Sequence, residues 1–367
     1  MTQNPTFNVS GDGLLGAEPA AADLKPTGPR SIVLLAGGIG GARFIRGLRA
    51  LIEERGWGTE LTVIVNNGDD IRIHGLQICP DLDSIMYTLG GGISQERGWG
   101  REGETFVVKD ELAGYGIGPE WFGLGDKDLA THLVRTQMLA AGYPLSAVTT
   151  ALCERWKPGA TLIPATDDRV ETHVIIDADE PGTQRAIHFQ EWWIKYRAGV
   201  PARDFALVGA EDARPAPGVL GAIASADVII LPPSNPVVSI GTILQIPGIR
   251  EAIRSAPAPV VGLSPIIGNA PVRGMADACL TAIGVDTSAV AVAQHYGARQ
   301  NSDASARPGI LDGWLVDESA DNSAVDELVG SGILTRAVPL LMTDIPQTAA
   351  MAAAALDLAA ALRAEAS

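Results

Sequence analysis

The sequence has few cysteines and few basic residues, and both shortages limit what the protein can do. Its three cysteines, Cys79, Cys153 and Cys279, are far apart and show no CxxC spacing, which predicts buried thiols in a reducing compartment. The 43 acidic residues outnumber the 27 basic ones and give a formal net charge of −16, which argues against a nucleic-acid partner. No apolar run reaches about 18 residues, so we expect no membrane span and a cytoplasmic location.

The sequence also lacks an internal repeat, a zinc spacing, a nucleophile elbow and a Ser-His-Asp order. Covalent catalysis therefore has no evident residue to carry it. A transfer reaction that depends on positioning and on metal electrostatics fits the chain better. Residues 1–30 are rich in Gly, Pro and Ala without the pattern of a signal peptide, and they predict a flexible leader.

A glycine-rich turn follows the first apolar run. Ser31–Ala36 predicts a buried parallel strand, and residues 42–51 predict a helix. The glycines between them can adopt positive φ and have no Cβ, so backbone N–H groups can approach a phosphate closely. These glycines are Gly37, Gly38, Gly40 and Gly41. Arg43 can pair with an anionic oxygen, and the sequence therefore predicts a nucleotide or diphosphate ligand.

Two known phosphate-binding motifs do not fit this turn. A dinucleotide fingerprint would need Gly or Ala where Arg43 stands, and a P-loop would need Lys followed by Ser or Thr. The open alternative is a tight strand-to-helix turn whose glycines serve packing alone.

Two pairs of aspartates follow the second predicted strand, Leu61–Asn66. Asp69 and Asp70 come shortly after its end, and Asp81 and Asp83 open a predicted helix. Ligands collect beyond the carboxyl ends of parallel strands, so Asp69 and Asp70 should lie near the glycine turn, where carboxylates beside a phosphate predict Mg²⁺. Alternatively, the first pair belongs to a surface turn and the second only complements a helix N-terminus.

Two later strands end in polar loops. Residues 226–231 run into Ser234 and Asn235, and residues 259–263 run into a loop that carries Ser264, Asn269 and Arg273. Both loops should face the cleft that the glycine turn opens. With further strands expected at Trp314–Val316 and Val338–Met342, the chain predicts an α/β fold with a Rossmann-like core of about six mostly parallel strands.

We expect this nucleotide-binding core to comprise residues 31–92 and 201–367. Residues 93–200 predict a mostly helical insertion with a small β-rich segment, or β-hairpin, that forms one wall of the cleft on the acceptor side. The aromatic-rich stretch 188–196 could stack on a flat heterocycle or fill a domain junction.

Seven segments occur along the chain in one order. They are AGGIGGARF, NNGDD, ICPDLDSIMYTLGGG, GDKDLATHLVRTQML, HFQEWW, PPSNPVVSIGTILQIPGI and SPIIGNAPVRGMAD. Together they resemble the 2-phospho-L-lactate transferase (CofD) family, and within it the actinobacterial members, over about Ile32 to Leu362. The resemblance implies a Rossmann-like core with an added helical region, a need for Mg²⁺, and a homodimer.

The resemblance also implies a reaction with two small-molecule substrates. A phosphoenolpyruvyl or 2-phospholactyl group passes from a guanosine diphosphate ester donor to the ribityl hydroxyl of the deazaflavin Fo, with release of GMP and formation of (dehydro) coenzyme F-420-0. The alternative is a non-enzymatic regulator of the same superfamily that binds nucleotide sugars. Such regulators share the glycine turn but are not expected to share HFQEWW or GDKDLATHL.

Carried over to this sequence, the resemblance assigns roles to residues. Asp69 and Asp83 are the first choices for catalytic contacts, and the metal ligands are drawn from Asp69, Asp70, Asp81 and Asp83. Arg273 is expected to pair with a phosphate or with the donor carboxylate. The remaining donor-binding residues are Gly37, Gly38, Gly40, Gly41 and Arg43 for the diphosphate, and Ser234, Asn235, Ser264 and Asn269 for the guanosine half.

Overall fold

The computed structural model describes residues 28–300, 309–319 and 322–366. The predicted flexible leader lies outside the described residues except for residues 28–30. The strands are β1 (Ser31–Ala36), β2 (Glu60–Val65), β3 (Ile71–Ile73), β4 (Leu76–Ile78), β5 (Thr161–Pro164), β6 (Glu171–Asp177), β7 (Gln184–His188), β8 (Ala202–Val208), β9 (Val228–Leu231), β10 (Val260–Leu263), β11 (Ile266–Ile267), β12 (Ala270–Pro271), β13 (Gly313–Asp317) and β14 (Leu334–Val338).

The α-helices lie mainly between the strands. They are α1 (Gly38–Arg55), α2 (Pro80–Leu89), α3 (Val107–Gly114), α4 (Asp126–Ala140), α5 (Leu145–Trp156), α6 (Val219–Ser225), α7 (Ile240–Gln245), α8 (Ile249–Ser255), α9 (Ala276–Ala282), α10 (Ala289–Tyr296), α11 (Asn322–Gly330) and α12 (Ile345–Ala366). A π-helical turn spans Glu191–Lys195, and a 3₁₀ turn spans Ala210–Asp212.

Seven of the described strands form one parallel sheet, in the order β14-β13-β10-β9-β1-β2-β5. The central strand β1 is a continuous apolar run because both of its faces are covered. Ile32 and Leu34 belong to the core beneath α1 and α12, whereas Val33 and Leu35 belong to the core on the opposite face. The predicted α/β fold with a Rossmann-like parallel core is confirmed.

Two strands differ from the prediction. The seventh strand is β5, which pairs with β2 at the sheet edge although its residues were assigned to the inserted region. The last strand is β14, which ends where the predicted strand Val338–Met342 begins, so that prediction was wrong. Pro339 has no N–H to donate to a neighbouring strand, whereas the preceding residues pair with β13 in register. The domain boundaries themselves stay a prediction.

The order of the strands creates a crevice beside β1. The chain builds outwards from β1 to β2 and β5 and then returns to β9 on the other side of β1. The loops after β1 and β9 therefore diverge at a topological switch point, where ligands of open parallel sheets bind. A three-stranded antiparallel sheet (β7-β6-β8) and the hairpins β3-β4 and β11-β12 surround this carboxyl edge.

By length and composition, helix α12 is the one helix in the described part of the chain that could cross a membrane. Its buried residues, among them Met351, Ala355 and Leu358, belong to the core that also includes α1 and the main sheet. A helix in the core of a protein meets the same criteria, so the composition of α12 does not by itself indicate a span.

Candidate active site

The glycine turn passes from β1 into α1 within one residue. Gly37 is extended (φ −93°, ψ −179°), and α1 begins at Gly38, so three of the four glycines lie in the first helical turn. The helix therefore starts earlier than predicted, and positive φ is not the reason for glycine at these four positions.

Close approach is the reason instead. A Cβ on Gly38 would lie 2.5 Å from Asp81 Oδ1, and a Cβ on Gly40 would lie 2.7 Å from the carbonyl oxygen of Pro233. The absence of these side chains brings the N-terminus of α1 against both the acidic residues of α2 and the loop after β9. Free N–H groups at a helix N-terminus favour an anion.

The loop after β9 is shaped by the two side chains that the sequence singled out. Ser234 is buried, and its Oγ accepts a hydrogen bond from Gly37 N–H at 3.3 Å. Asn235 Oδ1 accepts hydrogen bonds from the N–H groups of Val237 and Val238 at 2.9 and 3.2 Å. Ser234 and Asn235 thus lie at the predicted cleft and hold the loop in its conformation.

Asp69 and Asp70 lie on a buried loop beyond β2, with 5% and 6% of their surface exposed. Their burial excludes the surface-turn alternative. Asp69 Oδ1 and Asp70 Oδ1 accept no hydrogen bond from the described residues. Burial raises the pKa of both carboxyls well above the usual range, and the negative charge of Asp81 raises the pKa of Asp69 further. Buried carboxylate oxygens without partners are costly, so a bound ligand or ion would stabilise them.

Asp81 lies in the first turn of α2 and joins this acidic group through Asn66. Asn66 Nδ2 donates to Asp81 Oδ2 at 2.8 Å and to the carbonyl oxygen of Val238 at 3.2 Å, while its Oδ1 accepts from Gly68 N–H at 3.0 Å. Burial raises the pKa of Asp81 to about 6, although the hydrogen bonds from Asn66 and from the Gly38 N–H oppose this shift. Asn66 is a site residue that the sequence did not reveal.

Asp83 has a different environment. It is buried, and both of its oxygens accept hydrogen bonds from the Arg135 guanidinium, with Nη1 3.1 Å from Oδ2. Burial alone would lower the pKa of Arg135, but the Asp83 carboxylate more than offsets this and the pKa is raised. Because the guanidinium occupies both oxygens, this geometry does not support the expected role of Asp83 as a metal ligand or base.

The remaining aspartates can be tested as a metal site. Within the described ranges, no three His, Cys, Asp or Glu side chains are arranged as a ready metal-binding group. Mg²⁺ is usually held by only one or two carboxylates together with substrate phosphates. The orphaned oxygens of Asp69 and Asp70, with Asp81 beside them, fit an ion of that kind.

Two arginines lie beside the start of α1. Partial desolvation lowers the pKa of Arg273, and the nearby charge of Arg43 lowers it further. Neither guanidinium forms an ion pair or hydrogen bond with any residue that the structure describes. Gly98 of the inserted region lies against Arg273, since a Cβ there would be 3.0 Å from its Nη2. Two neighbouring guanidiniums without a counter-charge are suited to bind an anion.

The loop after β10 leads from Ser264 through Asn269 to Arg273. Ser264 Oγ accepts a hydrogen bond from Ile266 N–H and donates one to Ile266 O, so its side chain is used within its own turn. Asn269 is exposed and has a positive φ of 61° in the β11-β12 hairpin. A cavity of about 630 Å³ opens beside this hairpin, and its lining includes Val272, Asp317 and Leu341.

The inserted β-rich segment supports the acidic loop from outside. His188 Nε2 lies 3.1 Å from the carbonyl oxygen of Asp70, and Gln190 Nε2 donates to that of Asp69 at 3.5 Å. Trp192 is fully buried and donates its indole N–H to Val200 O at 2.7 Å. Trp192 therefore packs in the protein core and is not available to stack on a ligand.

Comparison with known proteins identifies the family. Residues 32–331 match the family model described as 2-phospho-L-lactate transferase CofD. The chain belongs to the CofD family. A phosphoenolpyruvate transferase from Streptomyces griseus is 63% identical over 333 residues, which are 91% of this chain and 99% of that protein. One from Mycolicibacterium smegmatis is 58% identical over 336 residues, which are 89% and 98% of the two chains.

A solved structure extends the comparison to the fold. A Bacillus halodurans protein matches with a TM-score of 0.56 and 18% identity, over 89% of this chain and 98% of its own. At that identity the likeness shows a shared fold alone. The CofD family and the likeness to its actinobacterial phosphoenolpyruvate transferases are the relationships that the seven segments predicted.

Several site residues of this CofD family member were missed from the sequence, chiefly Asn66, Arg135 and His188. Arg135 had a detectable signal: it shares one face of α4 with Asp128 and His132, at spacings of seven and three residues. Asn66 contacts Asp81 and two backbone groups, and His188 contacts a backbone carbonyl; no spacing in the sequence points to these contacts.

Proposed function

We propose that this CofD family member is a phosphoenolpyruvate transferase. It passes the phosphoenolpyruvyl group of a guanosine diphosphate ester to the ribityl hydroxyl of Fo, releases GMP and forms dehydro coenzyme F-420-0. The observation that carries this proposal is that two kinds of group beside the start of α1 lack partners among the described residues: the guanidiniums of Arg43 and Arg273, and one oxygen each of the buried carboxylates Asp69 and Asp70. An anionic diphosphate that arrives with a cation would satisfy both.

The donor diphosphate binds at the N-terminus of α1 in this proposal. The N–H groups of the first turn, where glycine leaves the backbone uncovered, donate to phosphate oxygens, and Arg43 and Arg273 neutralise their charge. The nucleoside extends into the cavity of about 630 Å³, because Val272 lines that cavity and the adjacent Arg273 lies beside Arg43.

Asp70 and Asp81 are the residues that would hold Mg²⁺, with Asp69 beside them. When bound, Mg²⁺ supplies Lewis-acid stabilisation of the negative charge on the diphosphate. Asp81 lies against Gly38, so this carboxylate is the one nearest to the helix N-terminus where the diphosphate binds. Asn66 fixes the orientation of Asp81 through its amide.

Asp69 then accepts the proton of the Fo hydroxyl. The hydroxyl oxygen attacks the phosphorus that bears the enolpyruvyl group, a new P–O bond forms, and the bond from that phosphorus to the GMP oxygen breaks, with its electron pair leaving on GMP. Asp69 suits this role because it is buried and one of its oxygens has no partner among the described residues. The buttressing of its loop by His188 and Gln190 keeps this base in place.

We further propose a cytoplasmic homodimer, as the family resemblance implies, that uses the enolpyruvyl donor in preference to the 2-phospholactyl one. The high identity to proteins called phosphoenolpyruvate transferases supports that choice of acid.

A mass-resolved endpoint assay tests the proposal. Purified protein, Mg²⁺ and Fo are mixed with the enolpyruvyl and the lactyl guanosine diphosphates in separate tubes, and GMP and the deazaflavin product are measured, with EDTA as the control. We expect both products from the enolpyruvyl donor and neither in EDTA. Product from the lactyl donor alone would show that the enzyme uses the 2-phospholactyl donor and not the enolpyruvyl one. Tight nucleotide binding without GMP from either donor would favour the non-enzymatic regulator.

A further inference from the structure

A buried ion pair joins the inserted region to the acidic group, and the proposed reaction does not use it. Arg135 on α4 is 1% exposed and donates hydrogen bonds to both carboxylate oxygens of Asp83 on α2. The two residues are 52 positions apart in the sequence. A buried bidentate pair of this kind fixes the relative position of the two helices to which its members belong.

Further contacts fix the same two helices. Tyr87, one turn beyond Asp83 on α2, donates its hydroxyl hydrogen to Asp128 Oδ1 at 2.5 Å. His132 lies between the two contacts, with Nδ1 3.1 Å from Arg135 Nη1 and Nε2 3.5 Å from Asp128 Oδ2. Since Asp128, His132 and Arg135 all lie on α4, this helix holds α2 at two successive turns.

The same helix also holds the segment that leads into α2. Arg135 Nη1 donates to the carbonyl oxygen of Gln77 at 3.4 Å, and Thr136 Oγ1 accepts the Gln77 N–H at 2.8 Å. The backbone is thus anchored on α4 just before α2 and again at Asp83. Asp81 lies between these anchors.

We propose that Arg135 is a positioning residue for the transfer reaction. Through Asp83 it fixes the first turn of α2, and it thereby holds Asp81 against Gly38 and Asn66 at the phosphate end of the site. As far as turnover is concerned, this inference rests on the proposed function. It assigns to Asp83 an indirect role in place of metal binding.

The test separates positioning from stability with a matched pair of Arg-to-Lys variants. Arg135→Lys keeps the buried charge but loses the fork that contacts both oxygens. Arg299→Lys is the control, because Arg299 makes the equivalent two-point contact with Asp312, at 2.9 and 2.5 Å, beside β13 at the amino edge of the sheet. For both variants and the wild type, kcat, donor KM, Tm and hydrogen exchange of residues 66–83 are measured.

We expect Arg135→Lys to lower kcat at least about tenfold with donor KM unchanged within about twofold, and to speed exchange of residues 66–83 by a similar factor. Arg299→Lys should lower Tm without changing kcat or that exchange. Unchanged kcat and exchange in Arg135→Lys would overturn the proposal. The proposal would also be overturned if Arg299→Lys lost as much kcat as Arg135→Lys while the two variants lost the same amount of Tm.

Two additions keep the outcome decisive. If Arg135→Lys does not fold, Asp83→Glu replaces it. This variant keeps both charges and displaces the carboxylate by one methylene group. We expect the same changes in kcat, donor KM and hydrogen exchange, and the same unchanged values would overturn the proposal. If the wild type yields no GMP from either donor, the proposed function fails, but the exchange measurement still decides whether Arg135 positions residues 66–83.

Discussion

The two edges of the main sheet use aspartate in opposite ways. At the amino edge, Asp227 accepts hydrogen bonds from the N–H groups of Arg30 and Ser31 at 2.7 and 3.1 Å. Asp312, at the same edge, accepts from Val260 N–H at 2.8 Å and pairs with Arg299. At the carboxyl edge, Asp69 and Asp70 are buried and each has an oxygen without a partner among the described residues.

The difference separates carboxylates whose oxygens have hydrogen-bond partners from carboxylates that each keep an oxygen without a partner among the described residues. Backbone N–H groups at the start of the strands more than offset the desolvation of Asp227, so its pKa lies below the usual range. The pKa of Asp69 lies well above it because burial and the charge of Asp81 outweigh its hydrogen bonds. A charge that the protein buries without satisfying it lowers stability, and a ligand that completes it accounts for its presence.

The largest expected effect comes from removing the charge of the base. Asp69→Asn should lower kcat by a factor of about 10²–10⁴ while GDP affinity stays within about threefold, because the amide cannot accept the hydroxyl proton. Steady-state kinetics and calorimetric titration with GDP measure both quantities. Asp357→Asn, the same change on the exposed side of α12, is the control and should match the wild type. A kcat close to the wild-type value in Asp69→Asn would remove Asp69 from catalysis.

The opposite edge should respond in stability alone. Asp312→Ala leaves the guanidinium of Arg299 without its carboxylate and Val260 N–H without its acceptor, so the free energy of unfolding should fall by about 3 kcal/mol. Urea denaturation measures this loss, and kcat should not change at a temperature where the variant remains folded. A large loss of kcat without a loss of stability would contradict the contrast between the edges.

The sequence predicted the central strands because their apolar runs are continuous and end in glycine or polar residues. β1, β2, β9 and β10 were placed in this way, and the position of ligand loops then follows from parallel topology alone. The contacts between residues that are distant in the sequence could not be predicted. Nothing local to Asp83 indicates Arg135, 52 residues away. The local pattern favoured a strand at 338–342, whereas pairing with β13 selects Leu334–Val338.

The two arginines at the carboxyl edge, Arg43 and Arg273, should affect donor binding more than turnover. Arg273→Ala should raise donor KM about 10- to 100-fold, as expected for one lost charge-assisted contact of about 1.5–3 kcal/mol, while kcat changes little. Arg254→Ala on the exposed side of α8 is the matched control and should leave KM unchanged. If the donor KM of Arg273→Ala equals that of the control, the diphosphate does not bind at the Arg43 and Arg273 pair.

The smallest expected effect is a pH-dependent change in stability at Asp81. Its pKa in the folded protein is about 6, above the ordinary value of 3.8, so the folded state binds the proton more tightly than the unfolded state. The stability that this proton contributes is complete below about pH 4 and is lost as pH rises through about 6.

Asp81→Asn should therefore equal the wild type near pH 4 and exceed it at about pH 8 by roughly 1–2 kcal/mol, because the amide carries no charge and can still accept the Asn66 hydrogen bond. Urea unfolding in EDTA across this range measures the difference, with Asp357→Asn as a control whose difference stays constant. If the stability difference between Asp81→Asn and the wild type were also independent of pH, the pKa of Asp81 would not be raised in the folded protein. The contrast between the two edges would then be confined to Asp69 and Asp70.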